Sequence, residues 1–153
     1  MRNMLVVELA SAEAMESFGM VLGQNCIEPL HIYLQGDLGA GKTTLVRGFL
    51  RGKCYSGKVK SPTYTLVEAY EFPDMDIFHF DLYRLDDPEE LAYIGFRDYF
   101  EKRSSVLLEW PEKAGGFLSV PDINIKIQLT AQGRRLEIQG ESSKGKELLV
   151  LIQ

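Results

Sequence analysis

Hydrophobic and polar positions change their period several times along this chain, and each change predicts an element. Leu5 to Leu9 form a short apolar run that reads as a strand. Ser11 stands where a helix N-cap belongs, ahead of Ala14, Met15, Phe18, Val21 and Leu22 at helical spacing. Pro29 restarts the chain. Ile32, Tyr33 and Leu34 then make a compact run that stops at Gly36, as a buried strand does, and a helix from Lys42 to about Leu50 carries Leu45, Phe49 and Leu50 on one side. Strand-favouring residues run from Val59 to Phe72, broken by the Ser61-Pro62 turn, because proline cannot donate to a ladder.

From Ile77 to Leu85 the chain alternates. Phe78, Phe80 and Leu82 share one face and Ile77, His79, Asp81 and Tyr83 the other, which predicts a strand with a core face and a chemical face. Asp86 or Asp87 caps a helix with Pro88 in its first turn and a break near Gly95. Val106 to Leu108 form another buried strand, ended by Glu109-Trp110-Pro111. The tail reads as three strands: Ile123 to Leu129, Arg134 to Gln139 and Glu147 to Ile152. The expected fold is α/β, a three-layer P-loop NTPase-like arrangement with a parallel core and an antiparallel C-terminal extension, in one domain over residues 1–153.

Composition narrows the function. A 45% apolar and 25% charged chain is that of an ordinary globular protein. Its net charge of -5 argues against broad attraction to nucleic acid, which needs many Lys and Arg on phosphates, so any link to RNA is expected to be indirect. Cys26 and Cys54 stand alone, giving neither zinc spacing nor a redox pair. Met1 to Leu9 lack the apolar stretch of a signal peptide, and no window nears the ~20 apolar residues of a membrane span, so the cytoplasm is the expected location.

Gly36-Asp37-Leu38-Gly39-Ala40-Gly41-Lys42-Thr43 is a complete P-loop pattern at a strand-to-helix junction. From average residue usage, a chance match in such a chain is on the order of one in a hundred. Glycines let the loop wrap a phosphate with successive N–H groups turned inward, and the helix adds its positive end. Lys42 would reach the β and γ phosphates, Thr43 would ligate magnesium, and Thr44 can add a hydrogen bond.

Two acids end apolar strands and can complete the magnesium site, Asp81 and Glu109. Glu109 follows the more uniformly apolar strand and is preferred for the metal; Asp81 would support that shell or position the attacking water. His79 shares a strand face with Asp81 and can orient it or sense the nucleotide. Thr63 fits magnesium or the γ-phosphate from a switch-like loop. Trp110 reads as a packing residue beneath Glu109. No Asn-Lys-x-Asp occurs, so ATP is favoured over GTP, and a small-molecule kinase would need lid arginines, for which only Arg97 and Arg103 are placed.

Together the P-loop, Ser61-Pro-Thr-Tyr-Thr-Leu-Val67, His79-Phe-Asp-Leu-Tyr-Arg-Leu85 and Glu109-Trp-Pro-Glu112, in this order over roughly residues 5 to 140, resemble the TsaE (YjeE) family of bacterial ATPases. The resemblance implies a slowly hydrolysing ATPase required for threonylcarbamoyladenosine at position 37 of tRNA, cycling ATP to ADP beside TsaD and TsaB. Alone it would be a monomer. It implies ATP at Gly39 to Thr44, magnesium at Thr43 and Glu109, and the nucleotide site at Asp81. It also places Arg134 near the nucleotide and Ser11, where the family more often has Thr, near the base. A kinase and a nucleotide-gated binding module without catalysis are the alternatives.

Overall fold

The structure is a computed structural model that describes residues 3–153; Met1 and Arg2, the start of the stretch read above for a signal peptide, lie outside it. In chain order the strands are β1 (Met4–Leu9), β2 (His31–Gln35), β3 (Val67–Glu71), β4 (Asp76–Asp81), β5 (Ser104–Glu109), β6 (Ile123–Thr130) and β7 (Gly133–Gly140). They form one seven-stranded sheet in the order β1-β7-β6-β2-β5-β4-β3. The four central strands are parallel, β6 to β2, β2 to β5 and β5 to β4. Both edges are antiparallel: β1 and β7 on one side, as the tail pattern suggested, and β3 on the other.

Helices cover both faces, giving the expected three layers. On one face α1 (Ala12–Asn25), α2 (Lys42–Gly52) and α5 (Ser143–Leu151) bury Met15, Leu22, Phe49 and Leu149 against Ile32, Leu34, Ile77 and Leu107. On the other, α3 (Glu90–Tyr93), α4 (Phe96–Glu101) and a 3-10 turn (Pro111–Phe117) set Leu91, Phe96 and Ala114 against Tyr33, Phe78, Phe80 and Leu108. The helix expected after Asp87 breaks at Gly95, whose φ of 68° ends α3 and starts α4.

Three sequence expectations are corrected. Glu147 to Ile152 is not a strand but the end of α5, whose N-cap Ser142 accepts from the Gly145 N–H at 3.1 Å. Leu148 and Leu149 are buried while Val150 and Leu151 are exposed, a helical sorting that strand alternation cannot give. Between Val59 and Phe72 only Val67–Glu71 is strand, because the chain before it folds into turns, with the Leu66 N–H on the Pro62 carbonyl. Lastly, β4 ends at Asp81 and not Leu85, where the Leu85 N–H closes a turn on the Leu82 carbonyl. Both its faces are buried, so the supposed chemical face is an interior one beneath α2.

That interior depends on how closely α1 and α2 approach. Gly19 and Gly23 on α1 meet Gly48 and Gly52 on α2, and a Cβ added at any of the four would lie 2.1–2.3 Å from a backbone oxygen of the opposite helix. Only glycine permits this backbone-to-backbone seam, because the neighbour that would have to move is main chain, not a side chain that could rotate.

For Gly48→Ala two effects compete. Helix propensity would stabilise by about 1 kcal/mol, whereas a Cβ 2.1 Å from the Glu16 carbonyl oxygen forces the helices apart. Overpacking against unyielding backbone costs more, and we expect a net loss of about 2 kcal/mol in urea unfolding. Gly116→Ala, with nothing within 4 Å of its Cβ, should stay within about 0.5 kcal/mol of the parent. A Gly48→Ala protein as stable as the parent would show that the seam is not tight.

Candidate functional site

The loop joining β2 to α2 turns on Gly39 and Gly41, with φ of 78° and 110°, a left-handed conformation that side chains disfavour. This exposes backbone donors in a row. Among the described residues the N–H groups of Gly39, Gly41, Lys42, Thr43 and Thr44 reach no backbone acceptor, while those of Ala40 and Leu45 close turns on the Asp37 and Gly41 carbonyls. Such a set at a helix N-terminus, with the dipole behind it, attracts an anion.

Lys42 completes the cradle. Its Nζ donates to the Gly36 carbonyl and, at 3.4 Å, to that of Asp37, and lies 4.0 Å from the centroid of the Trp110 ring. Burial lowers the ammonium's pKa, opposed by the charges of Glu109, Asp81, Glu112 and Asp37. No carboxylate lies within 4 Å of it among the described residues, so the cation rests on neutral groups and is free to turn to a phosphate.

Facing the cradle is a wall of oxygens. Parallel pairing sets Asp81 opposite Glu109, both at strand ends and both on the α2 side, 5% and 3% exposed. Glu109 Oε2 accepts from the Thr43 hydroxyl at 3.1 Å and pairs with His79 Nε2 at 2.6 Å. Asp81 Oδ2 accepts from the Thr63 hydroxyl at 3.1 Å, and its Oδ1 takes the Tyr83 N–H at 2.9 Å. Burial raises the Asp81 pKa above the usual carboxylate value; the Tyr83 N–H opposes that rise and the Glu109 charge adds to it. Two carboxylates beside two hydroxyls are hard oxygen donors of the kind magnesium selects.

A cleft of about 270 Å³ separates the halves, lined by Gly39 to Thr44, Thr63, Asp81, Glu109 and Arg134. Three anticipated residues stand elsewhere. Gly36 lies behind the loop, its carbonyl accepting from Lys42. Ser11 is committed to capping α1, accepting from the Ala14 N–H at 3.0 Å, and it is Ala12 and Met15 of that helix that reach the cleft. His79 is fully buried beneath the cleft and bonds Glu109, not its strand neighbour Asp81.

Arg134, from β7, donates Nε to the Ala40 carbonyl at 2.8 Å, steadying the loop from the opposite side. Sequence reasoning undervalued Trp110. Its backbone adopts a left-handed φ of 60°, and besides packing against Tyr83 and the second core it lines the cleft beside Lys42. A non-glycine residue in that conformation marks strain of the sort found at ligand clamps; its only sequence signal is its place directly after Glu109.

A family model described as "Threonylcarbamoyl adenosine biosynthesis protein TsaE" matches residues 9–137. The chain belongs to the TsaE family. It is 52% identical over 118 residues to the tRNA threonylcarbamoyladenosine biosynthesis protein TsaE of Haemophilus influenzae, covering 77% of this chain and 75% of that one. The protein of the same name from Rickettsia typhi is 32% identical over 129 residues, or 84% and 89% of the two chains. The crystal structure of Bacillus subtilus YdiB shares the fold, with a TM-score of 0.84 over 99% of this chain and 95% of that chain at 22% identity. All four motifs that carried the resemblance to TsaE lie inside the matched span. No helix among the described residues is long and apolar enough to cross a membrane.

The raised Asp81 pKa has a measurable sign. A carboxyl that holds its proton more tightly folded than unfolded costs stability at neutral pH, and the cost vanishes once both states are protonated. In metal-free buffer, Asp81→Asn should therefore unfold later than the parent at pH 7, with the gain shrinking as pH falls through the raised folded-state pKa and gone below about 4, where the unfolded carboxyl is protonated as well. A gain that is absent at pH 7, or that grows toward acid, would contradict the burial argument.

Proposed function

We propose that this chain is a magnesium-dependent ATPase of the tRNA threonylcarbamoyladenosine machinery, acting as one domain over residues 1–153. One observation carries the reading: unbonded loop N–H groups and the Lys42 ammonium face two carboxylates and two hydroxyls across a single cleft. That polarity suits a polyphosphate with its divalent ion. A simple anion site would have no use for Asp81 and Glu109.

In this reading Gly39 to Thr44 bind the phosphates through backbone donors, and Lys42 leaves the Gly36 carbonyl for the β and γ oxygens. Thr43 and Glu109 would hold a magnesium ion, which when bound would supply charge neutralisation to the phosphates. Asp81, fixed by the Tyr83 N–H, orients the attacking water, and Thr63 couples its loop to that acid. Arg134 reaches the nucleotide from the side of β7.

The base lies toward Ala12 and Met15, where α1 borders the cleft. Its products are ADP and phosphate, released slowly by the protein alone. The family names support a place in tRNA modification, and the net charge of -5 supports an indirect one, through TsaD and TsaB in the cytoplasm, with the free protein a monomer.

A small-molecule kinase fits less well. Arg97 and Arg103 do not line the cleft, and Arg103 is engaged with the Asp74 carbonyl at 3.1 Å.

Nucleotide binding and phosphate release should be measured with and without TsaD and TsaB. Lys42→Ala is expected to weaken magnesium-ATP binding at least about tenfold. Glu109→Ala is expected to cut partner-dependent phosphate release by about 100-fold or more, the loss of several kcal/mol of charge stabilisation. A wild-type protein that binds no nucleotide, or partners that neither bind it nor alter turnover, would end this reading.

A further inference from the structure

His79 has no surface to offer a ligand, being wholly buried in β4 between Ile77 and Asp81 and opposite Leu107 of β5. Its neighbours on the α2 side are the apolar Ile77 and Leu107 toward one end and the acids Asp81 and Glu109 toward the other. What the imidazole adds is one hydrogen bond, at 2.6 Å from Nε2 to Glu109 Oε2. A carboxylate only accepts, so Nε2 carries the proton. Nδ1 is buried and finds no hydrogen-bond partner among the described residues. A histidine kept for structure would have both nitrogens satisfied, as nearly all buried polar groups are. Here one nitrogen is left orphaned to aim the other.

The same Glu109 oxygen accepts from Thr43, whose hydroxyl is also the one suited to the metal. His79 is therefore the partner of Glu109 whose position does not depend on what the cleft holds. Glutamate has three rotatable side-chain bonds, and a donor fixed from behind limits how it presents its other oxygen to the cleft. Paired histidine and carboxylate groups commonly tune metal sites in this way, with losses of 10–100-fold when the outer partner is removed.

We propose that His79 is a positioning residue for Glu109: through Nε2–H it fixes the carboxylate in the orientation that receives magnesium, without itself touching nucleotide or metal. The inference rests on the functional reading above, in which Glu109 holds the ion. It assigns the histidine to Glu109, although the strand pattern pairs it with Asp81.

Its test is the affinity for a non-hydrolysable ATP analogue, measured by calorimetry in magnesium and again in EDTA. In His79→Leu the affinity in EDTA should stay within about twofold of wild type, while the strengthening conferred by magnesium falls by about tenfold or more. His79→Gln, whose amide N–H can reach the same oxygen, should regain most of that strengthening.

Equal magnesium dependence in wild type and His79→Leu would overturn the proposal, and so would parallel losses in magnesium and EDTA. In the unaltered protein, nitrogen-correlated NMR of the ring should show the Nε2–H tautomer, and an Nδ1–H tautomer would refute the geometry without any variant. If wild-type affinity ignores magnesium, the functional reading fails along with this inference. If wild type depends on magnesium and on Glu109 but His79→Leu is normal, this inference alone fails.

Discussion

Asp81 and Glu109 are held side by side by the parallel register of β4 and β5, buried, with no lysine or arginine within ion-pair distance among the described residues. Left alone, such a pair disfavours the folded state, since neighbouring carboxylates repel and burial penalises both charges. Much of the surrounding architecture answers that problem. Thr63 and the Tyr83 N–H bond Asp81, while Thr43 and His79 bond Glu109. The N-terminus of α2 points its positive end at the same place. Hydrogen bonds make the arrangement tolerable without neutralising it, and the residual negative charge suits a divalent cation.

Much of this was legible in the sequence, and the rest was hidden for identifiable reasons. The P-loop is legible because its conformation restricts residue type at Gly39 and Gly41, leaving a pattern that composition cannot imitate. Asp81 and Glu109 are legible because an acid ending an apolar run is conspicuous. Pairing between strands is not a local property, however. His79 lies on the same strand face as Asp81, yet it bonds Glu109 on the neighbouring strand, a relation only the β4 to β5 register reveals.

The C-terminal helix was misread because Leu148-Leu149-Val150-Leu151 is an unbroken apolar run that suits either element. The Ser142 cap that decides it is a single weak signal. Trp110 was read as packing because an aromatic residue beside a buried strand usually packs. It does pack, its ring 5.1 Å from that of Tyr83, but the same ring stands 4.0 Å from the Lys42 ammonium, a contact no local pattern announces. In each case the missing information was orientation, not residue chemistry.

The two sides of the cleft are built differently. On one side α1 and α2 meet at four glycines with main chain against main chain, and it is these two helices that carry Ala12, Met15 and the loop at Gly39 to Thr44 to the cleft. On the other, the Ser61 to Leu66 segment is tied down by Thr63 to Asp81, by the exposed Tyr64 to Arg84 and, at its end, by the Leu66 carbonyl, which accepts from the Asp81 N–H. The glycine seam thus writes one wall of the cleft into main chain, where no side chain can rotate to reshape it, while the shape of the facing wall rests on hydroxyl and carboxylate contacts.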